Sequence, residues 1–95
     1  MKHTDWLQGQ LKNDEFAAHY LTQAAQDLEP GVFIAALRHV VDARGGLAKV
    51  ADVGKLSKAS LYKAIPHSGK GNPTARTMFA ALRASGLNLT FTAAH

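Results

Sequence analysis

Two serines, two lysines and a tyrosine fall within the nine residues Ser57-Lys58-Ala59-Ser60-Leu61-Tyr62-Lys63-Ala64-Ile65, and no acid interrupts them. Wound into a helix, this segment gathers Leu61, Ala64 and Ile65 on one side. Ala59, Tyr62 and Lys63 lie on the other, with Lys58 and Ser60 at the margins. Such a face offers hydrogen bonds and cations to an anionic, acceptor-rich surface, and the major groove of duplex DNA admits one α-helix. There Ala59 permits close approach, Lys58 and Lys63 reach guanine O6/N7 or phosphate, Ser57 and Ser60 a base edge or phosphate, and Tyr62 a phosphate or a thymine methyl. A solvated helical hairpin with no nucleic-acid role is the competing explanation.

Further anion contacts follow from helix ends. Helices opening near Leu47 and after Thr74 present free first-turn amides to a phosphate, with Lys49 and Arg76 close by. The Gly69-Lys70-Gly71 loop reads either as a mobile cation between them or as a flexible surface turn. The charge distribution agrees with a polyanion partner: residues 1–30 carry a net charge of −3 and residues 31–95 a net charge of +7.

Other chemistries find little support. The five histidines, at positions 3, 19, 39, 67 and 95, are never three or four apart, and there is no cysteine, so no metal or other cofactor is expected. His39 and Asp42 read as a surface contact rather than a catalytic dyad. No Gly-rich phosphate loop follows a strand and no acid pair marks a cleft, so an enzyme is not expected. Trp6, Phe16, Tyr20 and Phe33 sit at helical spacing, which suits a core better than a platform for bases.

The elements that must position the 57–65 segment are helical. Seventeen alanines against seven Val and Ile favour helix over strand. A short helix is expected over 5–11. Asn13 caps a second helix over 14–28 with Phe16, Ala17, Tyr20, Leu21, Ala24 and Leu28 on one face, and Pro30 opens a third whose Phe33, Ile34, Leu37, Val40 and Val41 form the core until Gly45-Gly46 stops it. Arg38, His39, Asp42 and Arg44 fall mainly on the outer side of that third helix. Next come a short helix over 47–53, a turn, and a second short helix capped by Ser57 and ended by Pro66. Ala51 as the small contact residue, a turn four residues on and Leu61 ten residues on give the spacing of a helix-turn-helix. Thr74 caps a last helix over 75–85 with Met78, Phe79 and Leu82 toward the core and Gly86 at its end.

Beyond Gly86, Leu87, Leu89 and Phe91 alternate with Asn88, Thr90 and Thr92, the pattern of a strand, and no second strand exists to pair with it. Either it pairs with the same strand of another copy, giving a homodimer, or it is an extended tail laying Leu89 and Phe91 on the helical core.

Ninety-five residues suit one compact domain. Residues 1–30 form an N-terminal helical extension packed on the core and residues 31–95 the DNA-binding part. The N-terminus lacks an apolar signal core and no run of about 18 apolar residues occurs, so a soluble, cytoplasmic protein with no membrane partner is expected.

The string from Phe33 through Gly45-Gly46, then LAKVADVGKLSKASLYKAI, GNPT and MFAALRASGLNLTF, resembles the addiction-module antidote proteins, the HigA-like branch of the lambda-repressor-like (Xre) helix-turn-helix domains. The likeness covers about residues 5–92, and its most specific part is Leu56-Ser57 through Ser60-Leu61-Tyr62-Lys63-Ala64, followed by Gly71-Asn72-Pro73-Thr74. The resemblance implies an all-α lambda-repressor-like fold and an antitoxin that neutralises a RelE/ParE-superfamily toxin and represses its own operon by binding double-stranded operator DNA as a homodimer. An acidic N-terminal half covering a basic toxin would account for the charge split. A stand-alone, prophage-type helix-turn-helix regulator without a toxin is the competing functional class. One position departs from the family pattern: Lys55 stands where members usually carry glycine, with Gly54 one residue earlier. Either Lys55 accepts a left-handed backbone at a cost of order 1 kcal/mol, or the turn is re-formed around Gly54.

Overall fold

A computed structural model describes residues 3–94. Lys2 and His95, which enter the charge and histidine readings, lie outside the described residues. These form six helices and no strand: α1 (His3–Gln10), α2 (Asp14–Ala25), α3 (Pro30–Ala43), α4 (Gly46–Gly54), α5 (Lys58–Ala64) and α6 (Ala75–Ala84).

The most apolar stretch of sequence becomes the central helix. Pro30 supplies the preset φ of a first turn, and the Glu29 carboxylate accepts from the Gly31 amide at 3.2 Å. From there α3 buries Ile34, Leu37, Val40 and Val41, against which α1, α2, α4 and α6 pack. Leu61 and Ile65 of the α5 region are fully buried with them, each contributing about 1.5–3 kcal/mol by leaving water. The caps foreseen at Asn13, Ser57 and Thr74 form: each side-chain oxygen accepts an amide three residues on. Gly86 ends α6 in the left-handed conformation while the Leu87 amide donates back to Leu82 at 2.9 Å.

Four expectations need correction. The second helix stops at Ala25 rather than 28, because the Asp27 carboxylate captures the Glu29 amide at 2.8 Å and offers the chain a local turn. Leu28 is consequently 100% exposed instead of joining the core. Phe79 is also half-exposed, since α6 meets α4 through small side chains: a Cβ on Gly54 would lie 2.7 Å from that of Ala80, which leaves no room for a ring.

Arg38 and Arg44, assigned to the outer side of α3, are structural. Arg38 is only 7% exposed. Arg44 donates from Nε to the Ser85 carbonyl at 2.6 Å and from Nη1 to the carbonyls of Leu11 and Lys12 at 3.2 and 3.1 Å, and it pairs with Asp14. One guanidinium thus fastens the α1–α2 junction to the end of α6.

The fourth correction concerns the tail. Residues 87–94 form no strand in the single chain, because the described residues contain no second strand to share its hydrogen bonds. Leu87 reaches the core, whereas Leu89 is half-exposed and Phe91 is 87% exposed.

Candidate nucleic-acid interface

Helix α5 is short, and seven residues of modest propensity hold a helix only when tertiary contacts fix it. At its start the Ser57 hydroxyl oxygen accepts from the Ser60 amide at 3.1 Å and its proton goes to the Ser60 hydroxyl at 2.8 Å. In its middle Leu61, 1% exposed, anchors it to the core. At its end Arg38 donates from Nη1 to the Ile65 carbonyl at 3.0 Å, satisfying an acceptor that the helix cannot. The same guanidinium donates from Nε to Asp42 at 3.0 Å and lies 5.2 Å from the centroid of the Tyr62 ring.

Those anchors leave Lys58, Ala59, Ser60, Tyr62 and Lys63 exposed, the face expected from the sequence. One detail differs. Because the two serine hydroxyls bond to each other, the Ser60 O–H is the proton left for an outside acceptor, and Ser57 acts chiefly as a cap.

The turn between α4 and α5 settles around Lys55. It adopts φ 55° and ψ 48°, and the Leu56 amide donates to the Ala51 carbonyl at 2.9 Å. Lys55 therefore accepts the left-handed conformation at a cost of about 1 kcal/mol. Gly54 serves another purpose: a Cβ there would also come within 2.9 Å of Leu56 Cδ1, so this glycine lets α4 approach α6. Lys55 stands exposed between the two short helices, a cation that sequence reading treated as a backbone anomaly alone.

The outlying cations fall in different places. Arg76, in the first turn of α6, reaches the Gly54 carbonyl from Nη2 at 3.4 Å and so stands beside the turn. Lys49 is exposed on α4 and its aliphatic chain folds over Gly45, where a Cβ would meet Lys49 Cδ at 2.6 Å. Gly45 has no side chain, so no side-chain cap closes the start of α4. Lys70 lies farther off, in a groove shared with Glu29 and Pro30 at the start of α3. Its loop is packed: a Cβ on Gly69 would lie 2.3 Å from the Gly31 carbonyl oxygen and one on Gly71 2.1 Å from that of Ala64. The glycines around Lys70 thus serve close backbone contact, not mobility.

Behind α5 runs a polar chain that sequence reading did not foresee. Asp42 accepts from His67 Nε2 at 2.6 Å, the His67 and His39 rings stack with centroids 6.0 Å apart, and the Tyr20 hydroxyl meets His39 Nδ1 at 3.1 Å. Gln8 donates to the His39 carbonyl at 3.1 Å. Burial, with the nearby His67, pushes the His39 pKa below its ordinary value; Asp42 opposes the shift and Arg38 adds to it. Burial pushes that of Tyr20 up, which favours the protonated phenol beside His39.

The family model described as "probable addiction module antidote protein" matches residues 3–93, nearly the whole chain. The chain belongs to this family. No curated protein and no solved structure matches it. Membership makes the protein an antidote, the antitoxin of an addiction module, with a toxin as partner. Among the described residues, no helix of this antidote is long and apolar enough to cross a membrane.

Proposed function

We propose that this antidote is a HigA-like, lambda-repressor-like helix-turn-helix protein that binds its operator through α4 and α5 as a homodimer and neutralises a RelE/ParE-type toxin in the cytoplasm. The observation that carries the DNA reading is the state of α5: fixed at Ser57, Leu61 and Ile65, it turns Lys58, Ala59, Tyr62 and Lys63 to solvent with no acid among them. A helix held this firmly reads a groove without losing further conformational freedom on binding. In this reading Lys58, Ser60, Tyr62 and Lys63 meet base edges and the adjoining backbone. Lys49, Lys55 and Arg76 meet phosphates beside them, and Lys70, set apart beside Glu29 and Pro30, meets a more distant phosphate.

Residues 1–30 are assigned to the toxin and 31–95 to DNA. Three of the acids behind the charge split already have partners in the fold: Asp14 pairs with Arg44, Asp27 accepts from the Glu29 amide and Glu29 from the Gly31 amide. Charge contacts with a basic toxin are therefore sought first at exposed Asp5 and Glu15. Family membership favours an antitoxin over a stand-alone regulator.

The test is co-expression with a RelE/ParE-type toxin, followed by salt-dependent gel shifts on the DNA upstream of the coding region. Stoichiometric co-purification and a shift that weakens steeply with salt are expected. A protein that ignores such toxins yet shifts the DNA is a stand-alone regulator. One that holds a toxin but shows no salt-dependent shift does not read DNA.

A further inference from the structure

Asp42 stands where an acid is unfavourable on two counts. It occupies the last turn of α3, whose dipole repels negative charge, and it is one of only two acids, with Asp52, in residues 31–95, the half assigned to DNA. Helix pairing does not explain it either, since an i, i+4 ion pair is favoured with the acid first and here Arg38 comes first. Its contacts lead across the fold instead. Oδ1 accepts from Arg38 Nε at 3.0 Å and Oδ2 from His67 Nε2 at 2.6 Å, so each oxygen has a partner within the chain. On one side the His67 ring rests on that of His39. On the other, among the described residues, Asp42 is the only carboxylate within ion-pair distance of the buried Arg38 guanidinium. A planar guanidinium held at Nε has its orientation settled. With that edge fixed, Nη1 donates to the Ile65 carbonyl at 3.0 Å and Cζ lies 5.2 Å from the centroid of the Tyr62 ring. Ile65 closes α5 and Tyr62 stands half-exposed on its outward face, so one side chain passes the position of the carboxylate to the groove-reading surface.

We propose that Asp42 is a positioning residue for DNA discrimination: held by His67, it sets the plane of Arg38 and thereby the placement of Tyr62 and the end of α5 against base edges. The proposal rests on the DNA reading above and adds to it a residue that touches no nucleic acid. Phosphate contacts tolerate small displacements, because charge acts over a Debye length of about 8–10 Å, whereas base-edge hydrogen bonds weaken within a few tenths of an ångström. A displaced α5 therefore loses sequence discrimination before it loses affinity for duplex DNA in general.

Titrations of the full chain with the upstream duplex and a random duplex test this, using Asp42→Asn, Arg38→Met, the double substitution and His67→Phe, with helical circular dichroism as the check on folding. An Asp42 that acted only through its charge would make Asp42→Asn bind both duplexes more tightly, since the net charge of +4 rises by one. Positioning predicts that the ratio of upstream to random affinity falls by about tenfold, the size of one lost base contact, while random-duplex affinity does not fall. His67→Phe, which keeps a ring against His39 but not the bond to Asp42, is expected to lose part of the same ratio. The double substitution removes the buried cation together with its partner, so it folds even where Asp42→Asn does not. Its ratio is expected to match that of Arg38→Met alone, because Asp42 acts through Arg38. An unchanged ratio in folded Asp42→Asn, both affinities rising together, or a double substitution that discriminates worse than Arg38→Met would each overturn the proposal. Equal binding of both duplexes by the unaltered protein would sink the DNA reading and the proposal with it, whereas discrimination retained by Asp42→Asn sinks the proposal alone.

Discussion

Arg38, one helix away from the exposed face of α5, donates to the carbonyl oxygen of Ile65 and holds the end of that helix in place. Arg38→Met keeps much of the side-chain volume but leaves the Ile65 carbonyl without its charged donor, and Tyr62 without the guanidinium beside its ring. Loss of about 1.5–3 kcal/mol of stability is expected in denaturant titrations. Amides of Leu61 to Ile65 should also exchange faster than the rest of the core. Unchanged exchange there would mean that Arg38 does not position α5.

Gly54 and Lys55 make opposite predictions although they adjoin. Gly54→Ala places a methyl 2.7 Å from Ala80 Cβ and should destabilise by about 1–3 kcal/mol. Lys55→Gly relieves a left-handed backbone and should be neutral to stabilising by about 1 kcal/mol, while removing one cation from the surface. Urea midpoints of the two variants check the pair.

His39 ties stability to pH. Its pKa is lowered in the fold from an unfolded value of 6.5, so over the interval between the two values the unfolded chain holds more proton at this site than the native one. Its contribution is fully present above that unfolded value and is lost as pH falls from there through the folded pKa. The groups facing the ring are Tyr20 from α2, Asp42 and Arg38 from α3, and His67 from the following loop. Denaturation midpoints at pH 5.5 and 7.5 should differ less for His39→Gln than for the unaltered protein. An equal difference in both would assign the pH dependence elsewhere.

Sequence alone located the helices and the outward face of α5, because periodicity, caps and proline stops are local signals. Asn13, Ser57 and Thr74 cap as their residue types require, and Leu61 and Ile65 turn inward as the wheel demands. What it missed depends on partners distant in the chain. Arg38 and Arg44 read as solvent residues until Ile65 and Ser85 bring carbonyls to them. Phe79 reads as core until Gly54 brings α4 too close for a ring. Gly69 and Gly71 look mobile by composition, and only the nearness of the Gly31 and Ala64 carbonyls shows why nothing larger fits. The histidine chain from Tyr20 to Asp42 has no spacing signature, since it joins α2, α3 and the loop after α5.

The two sides of α5 should separate function from stability. Leu61→Ala removes a fully buried side chain and should cost about 2–5 kcal/mol, read as a lowered denaturation midpoint. Tyr62→Ala should cost less, since its ring is half-exposed, yet weaken DNA binding more than its stability change explains. Similar loss of DNA affinity from both, in proportion to unfolding, would deny α5 an outward role.

In the proposed complex the exposed face of α5 contacts duplex DNA. Fluorescence anisotropy titrations with the upstream duplex and a random duplex, across a salt series, test it most directly when run on the unaltered protein, Lys63→Ala and Arg76→Ala. Lys63→Ala is expected to lower affinity for the upstream duplex by about tenfold or more while remaining folded, and Arg76→Ala to flatten the logarithmic salt slope by about one. Affinities for both duplexes identical to those of the unaltered protein, with the same salt slope, would contradict it.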